Sequence, residues 1–145
     1  LFEKGVQKTR GVQFVRSIEL RTKDGNDYRL VFALGHPKGL ELAKTAMWSI
    51  DPVSGTRFST KTHLANQEVL FQPEPDTAPL LAELRERFGT DWFRVAEAEA
   101  FMLTDTPFLQ THLKRRTLQP AEEAGKIEVH RTGRGFAGAS VRFKQ

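Results

Sequence analysis

Gln110, Thr111, Lys114 and Arg115 stand close together in the last third of the chain. At about 100° per residue, Gln110, Thr111 and Lys114 project from one side of a helix, with Arg115 on its shoulder. Phe108, Leu109, His112 and Leu113 project from the other side. An amide, a hydroxyl and an ammonium on one solvent-facing strip can hydrogen-bond to base edges, and Lys or Arg beside them can hold phosphates. Further on, Arg131-Thr132-Gly133-Arg134-Gly135 is too glycine-rich to pack and too basic for a neutral loop. Its glycines would let the backbone approach a duplex while Arg131 and Arg134 reach phosphates or the minor groove. Charge supports this pairing of helix and loop. Residues 107–145 carry eight Lys or Arg against three Glu, and the other 106 residues carry fourteen against fifteen Asp or Glu. The whole formal net charge of +4 therefore arises in the last quarter, the footprint expected of a polyphosphate binder. A solvated basic surface with no partner would give the same count.

Other chemistries find less support. His36, His63, His112 and His130 lie outside metal-ligand spacing of one another, and the chain has no Cys, so no metal site is expected. His36-Pro37-Lys38-Gly39 can be read as an anion site at a helix start or as a turn residue bonded to the backbone. Asp51 and Asp91 lack evident partners, and Glu97 and Glu99 point different ways on a helix, which makes them solvated surface. No GxSxG, P-loop or GxGxxG is present. No catalytic residue, cofactor or enzymatic role is expected of this chain. Trp48 and Trp92 are expected to plug cores.

The elements around the basic residues can be read from their punctuation. Thr106-Pro107 is a helix start, a hydroxyl cap followed by a residue without the amide that would go unpaired there. Gly125 suits the stop. Lys126-Ile127-Glu128-Val129 and Ser140-Val141-Arg142-Phe143 alternate polar and apolar as half-buried strands do. Helix, strand, Gly- and Arg-rich loop and strand is the order of the last helix and wing of a winged helix-turn-helix, whose third helix enters the major groove. Upstream, Asp76 or Thr77 caps a first helix with Pro79 in its first turn, the stripe Leu80, Leu81, Leu84 and Phe88, and Gly89 at its end. Phe93-Arg94-Val95 reads as a short strand pairing with the wing. Val95, Ala98, Phe101 and Met102 mark a second helix, and Thr104-Asp105-Thr106 a tight turn. Two residues fit the third helix badly: Arg116 falls on its apolar side and Leu118 on its polar side. Pro120, just beyond, predicts a kink.

The first half reads differently. Residues 1–10 form a lead-in without period. Val12, Phe14, Ile18 and Leu20 at even positions, the turn Lys23-Asp24-Gly25-Asn26 and the apolar run 28–34 predict a hairpin. The run Arg29-Leu-Val-Phe-Ala-Leu34 reads as a strand buried on both faces, inside a sheet. After His36, Leu40, Ala43, Met47 and Ile50 (or Leu42, Ala46 and Ile50) recur at helical spacing with Trp48 to one side. Asp51-Pro52-Val53-Ser54-Gly55 ends that helix in a turn. Residues 56–67, with His63, read as a loop, and 71–76, with two prolines, as a stiff linker.

The expected fold class is α+β: residues 1–70 as a strand-hairpin and helix segment ending a larger α/β domain, and 71–145 as a winged helix-turn-helix. The chain begins at Leu1, which points to a piece of a longer protein with anything catalytic upstream. It has no apolar run near the roughly 20 residues that cross a bilayer, no signal-like segment and no Cys, so a cytoplasmic protein without a membrane partner is expected.

Two blocks, YRLVFALGHPKGLELAKTAMWSIDP over residues 28–52 and TPFLQTHLKRRTLQPAEEAGKIEV over 106–129, resemble the C-terminal half of the three-Cys-motif partner protein family. The first block is the more specific, with its apolar strand, His-Pro-Lys-Gly turn and Met-Trp…Asp-Pro ending. The resemblance implies a winged helix-turn-helix behind a methyltransferase-like α/β domain, and a radical-SAM-like partner with three cysteines. The chain departs from that pattern in lacking a Gly-rich loop for S-adenosylmethionine. Ala43 and Ala121 stand where the family pattern has Met and Leu.

Three functions are therefore expected as alternatives. In the first, a DNA-binding module reads the major groove with Gln110, Thr111, Lys114 and Arg115 and grips the backbone with Arg131 and Arg134. In the second, a docking module holds a three-Cys partner protein. In the third, the chain completes an enzyme whose active site lies upstream.

Overall fold

Asp24-Gly25 turns the chain back as its type demands. Three residues separate Thr22 from Asn26, whose carbonyl accepts from the Thr22 amide at 3.0 Å, and Gly25 takes the left-handed φ of +82° that this hairpin loop requires. The computed structural model describes residues 5, 9–59 and 74–145. The chain divides into two compact units, Leu1–Pro75 and Asp76–Gln145, and its fold is α+β.

In the first unit, β1 (Phe14–Arg21) pairs antiparallel with β2 (Asp27–Leu34), from Phe14 opposite Leu34 to Arg21 opposite Asp27. Helix α1 (Pro37–Ile50) comes next, and β3 (Arg57–Ser59) then joins β1 in parallel beside Glu19–Arg21. The order is β2-β1-β3. This corrects two expectations. Residues 57–59 form a strand, so the segment read as a loop is one only in part; His63 and residues 60–73, including the start of the proline linker, lie outside the described residues. Among the described residues the apolar run of β2 has a strand on one side only, and β1 lies between β2 and β3. An apolar run records what a strand can bury, not which side the next strand will join. In β2, Tyr28 and Leu30 are left 57% and 44% exposed.

Helix α1 buries Leu40, Ala43, Met47 and Trp48, with the first turn set by Pro37 and by His36, whose Nδ1 accepts from the Lys38 amide at 3.1 Å. His36 is therefore a capping turn residue. Ile50, expected in the stripe, is exposed. Asp51, expected to have no partner, organises the turn after the helix. Its Oδ1 accepts from the amides of Val53 and Ser54, and its Oδ2 from those of Thr56 and Arg57 and from the Ser54 hydroxyl. Burial pushes the Asp51 carboxyl up, but the Ser54 hydroxyl and the amides of Arg57, Ser54 and Val53 outweigh it and hold the group below its ordinary value. Gly55 closes the turn at φ +67°, flat against the Trp48 ring.

The second unit opens with α2 (Ala78–Phe88), which buries Leu80 and Leu84 and stops at Gly89 with φ +60°. Asp76 supplies the capping oxygen to the Ala78 amide at 3.0 Å. β4 (Phe93–Arg94) leads directly into α3 (Val95–Asp105), with Glu97 reaching back to the Arg94 amide at 2.6 Å. Glu97 is thus a cap. The next helix starts at Gln110, later than Thr106-Pro107 suggested. The Thr106 hydroxyl donates to Met102 in the last turn of α3 and accepts from the Phe108 amide, which makes it a C-terminal bracket for α3.

Helix α4, residues 110–123, is a 3-10 turn (Gln110–His112), a π segment (Lys114–Leu118) and an α-helical turn (Gln119–Glu123). The Leu118 amide reaches back to Leu113 at 2.8 Å, and that of Gln119 to Lys114. A π turn holds one extra residue, so the residues beyond it lag by about 100°. That lag resolves the misfit at Arg116 and Leu118: Leu118 and Thr117 are buried and Arg116 is exposed. Pro120 has no amide to offer the Arg116 carbonyl four residues back, and the Thr77 hydroxyl donates to that carbonyl at 2.8 Å. Where the kink was expected, the helix changes type.

β5 (Ile127–His130) and β6 (Ser140–Phe143) pair antiparallel, and β4 adds to β6, giving the order β4-β6-β5. Phe93, Val141, Ile127 and Phe143 turn inward with Leu113 and Leu118, and Phe88 stacks on Phe93 at 4.2 Å. Trp92, expected in a core, is 48% exposed. Arg142, its cross-strand neighbour, lies over the ring at 4.9 Å and is held by Glu128. No described helix is long and apolar enough to cross a membrane.

Candidate nucleic-acid interface

Helix α4 and the loop 131–139 carry all six residues singled out from the sequence, in three different environments. Thr111, Arg115 and Arg134 are exposed, and among the described residues their side chains have no partner. Gln110 and Lys114 both turn to Glu99 on α3. The Gln110 amide donates to the Glu99 carbonyl at 3.4 Å, and the Lys114 ammonium meets the Glu99 carboxylate at 2.8 Å. The spacing of four between Gln110 and Lys114 that suggested a shared face therefore exists, but that face borders the preceding helix.

Arg131 is held most firmly. Its guanidinium forks onto the two carboxylate oxygens of Glu122 in the last turn of α4, with Nη1 to Oε1 at 2.7 Å, and lies 5.0 Å from the centre of the Phe136 ring. The bond from Arg131 holds the Glu122 carboxyl below its usual range. This clasp ties the start of the loop to the helix that precedes β5. Gly135 and Gly138, with φ of +73° and +69°, turn the loop back, and the Thr132 hydroxyl reaches the Gly138 carbonyl. Arg134 is left near the tip between Gly133 and Gly135.

The electrostatics differ from the sequence count. Of the eight Lys and Arg in residues 107–145, Lys114, Arg131 and Arg142 are paired with Glu99, Glu122 and Glu128. Around the six candidate residues, four cations face two carboxylates, Glu99 and Glu122, a local surplus of two. Sequence spacing gave no signal for either carboxylate: Glu99 precedes its partner by a whole turn between helices, and Glu122 meets Arg131 only because β5 reverses the chain. Among the described residues no cluster of His, Asp and Glu could hold a metal ion. No family model matches the chain, and neither does any curated protein or solved structure.

Proposed function

We propose that residues 76–145 form a winged helix-turn-helix that binds duplex DNA, with α4 in the major groove and the loop 131–139 as the wing on the backbone. What carries this reading is the order α2-β4-α3-α4-β5-loop-β6 with strands arranged β4-β6-β5, in which α4 and the loop each present an exposed cation, Arg115 and Arg134, without a partner among the described residues. Thr111 and Gln110 contact base edges, Arg115 and Lys114 the phosphates flanking the groove, and Arg134 the minor groove or backbone beside it. Arg131 contributes by fixing the wing through its two-pronged bond to Glu122. The test is duplex binding by fluorescence anisotropy at several salt concentrations. Arg115→Ala with Arg134→Ala weakens binding at least tenfold, and Lys38→Ala leaves it unchanged. Binding that is absent at low salt, or indifferent to salt, refutes the reading.

A second reading is favoured by Trp92, an exposed aromatic with the Arg142 guanidinium over its ring. Such an anchor suits a protein partner, and the resemblance to three-Cys-motif partner proteins names a class. Under this reading the chain captures such a partner, Trp92→Ala abolishes capture, and Arg134→Glu leaves it intact. Loss of duplex binding in Arg115→Ala with Arg134→Ala would decide against it.

A further inference from the structure

The small sheet of the second unit has two faces of different character. Phe93, Ile127, Val141 and Phe143 point to the core, so the alternate positions of the same strands point to solvent. Register sets these outward residues in rows. Glu128 stands opposite Arg142, and Trp92, next to the pair Phe93 and Val141, comes beside Arg142 on its other flank. The Lys144 amide donates to the Lys126 carbonyl at 3.0 Å, which puts those two side by side in the next row. Arg142 is fixed in place: its Nε and Nη2 both meet Glu128 Oε2, at 2.7 and 2.6 Å. Its guanidinium lies over one face of the Trp92 ring, 4.9 Å from the centre. Trp92 is nonetheless 48% exposed, and Arg94, Lys126 and Lys144 are exposed around it. A recess of about 380 Å³ opens in the same region, lined by Thr90, Glu128, Arg142, Phe143, Lys144 and Gln145.

We propose that this outward face binds single-stranded DNA, with one base stacked on Trp92 and neighbouring phosphates held by Lys126, Lys144 and Arg94. Charge points to a polyanion. The outward positions 92, 94, 126, 128, 130, 140, 142 and 144 hold four Lys or Arg and one carboxylate, Glu128, which is already engaged by Arg142. The ring points to bases. Backed by a guanidinium on one side, Trp92 is a preset platform on the other, and a base in an unpaired strand has a π-face to lay on it, whereas a base inside a duplex has none to offer. Spacing suits an extended backbone, since outward residues of one strand, such as Arg142 and Lys144, recur every ~6.8 Å. Stacking and phosphate contacts are both met by DNA and need no 2′-hydroxyl. The face lies across the sheet from Leu113 and Leu118 of α4, so it is separate from the duplex interface proposed above, and neither reading rests on the other.

The test is titration of the whole 145-residue chain with a deoxythymidine oligomer of about 12 nucleotides, within the usual span of single-strand sites, read by Trp emission and by anisotropy. Binding quenches the emission. An abasic strand of equal length, with the same charge and no bases, binds about tenfold more weakly, and Trp92→Ala weakens oligomer binding by about the same factor, the worth of one stacked base. Lys126→Ala with Lys144→Ala flattens the salt dependence by about 1.4, at about 0.7 per phosphate. Arg115→Ala with Arg134→Ala, directed at the duplex interface, leaves oligomer binding unchanged. The proposal is overturned if the abasic strand binds as well as the oligomer, or if Arg115→Ala with Arg134→Ala abolishes strand binding. A uridine oligomer that binds tenfold more tightly would move the assignment to RNA and overturn it too, and binding without quenching would leave the ring to a protein partner. Should Trp92→Ala fail to fold by circular dichroism, the abasic comparison on the parent decides.

Discussion

Replacing Glu122 by Gln removes a charge from the candidate interface without removing a contact to DNA. In the folded protein Glu122 neutralises Arg131 through a two-pronged bond, and Glu99 does the same to Lys114. Arg115 and Arg134 are the candidate cations without such a partner among the described residues. Each phosphate neutralised contributes about 0.9 to the fall of log affinity with log salt, so two free cations give a slope of about −1.8 and all four about −3.6. The parent chain falls nearer the first value. Glu122→Gln releases Arg131 to a phosphate and steepens the slope by about 0.9. Binding tightens at low salt, and between 50 and 200 mM salt, a fourfold change, the advantage over the parent shrinks about 3.5-fold. The assay is fluorescence anisotropy of a labelled duplex, titrated at four or five salt concentrations. Adding Arg131→Ala to Glu122→Gln returns the slope to that of the parent, which separates a released guanidinium from a general loss of negative charge. An unchanged slope in folded Glu122→Gln, or weaker binding at low salt, would refute the idea that this carboxylate competes with phosphate for Arg131.

Three further outcomes concern the scaffold. Asp51 accepts four amides and a hydroxyl and titrates below its ordinary value of 3.8, so its contribution is complete above the unfolded value and is lost as pH falls through the folded one. Asp51→Asn should lower stability at pH 7 by about 1 kcal/mol, a modest figure because the carboxylate is only partly buried, and urea midpoints of parent and variant should converge below pH 3.8; a constant gap across that range would exclude the charge as the cause. Gly55→Ala meets both a positive φ of 67° and the Trp48 ring at 2.5 Å from the added carbon, so chemical denaturation should show a loss of about 2–4 kcal/mol with altered Trp emission. Leu118→Ala tests the π segment: buried as it is, it should cost about 2–5 kcal/mol, whereas a straight α-helix would leave Leu118 on the surface and the change near zero.

What the sequence determined by itself was local. Asp24-Gly25 demanded the hairpin, Leu40, Ala43 and Met47 the buried side of α1, Gly89 and Gly125 the ends of two helices, and the alternations at 126–129 and 140–143 the last two strands. Each is a preference of a few neighbouring residues for one backbone conformation or one periodicity, and the chain carries it wherever it folds. The concentration of positive charge in residues 107–145 was equally plain in the sequence. Tertiary structure decided the rest. Whether a cation is available depends on which carboxylate comes within 3 Å, and Glu99 and Glu122 arrive by chain reversals that no spacing rule encodes. The lag that buries Leu118 and exposes Arg116 comes from the π segment ahead of Pro120, with the Thr77 hydroxyl, 39 residues away, donating to the Arg116 carbonyl. The apolar run of β2 told how much that strand could bury, but only the tertiary structure set β3 beside β1 and not beside β2, because a strand's neighbour is set by which distant segment closes onto the sheet and not by the strand itself.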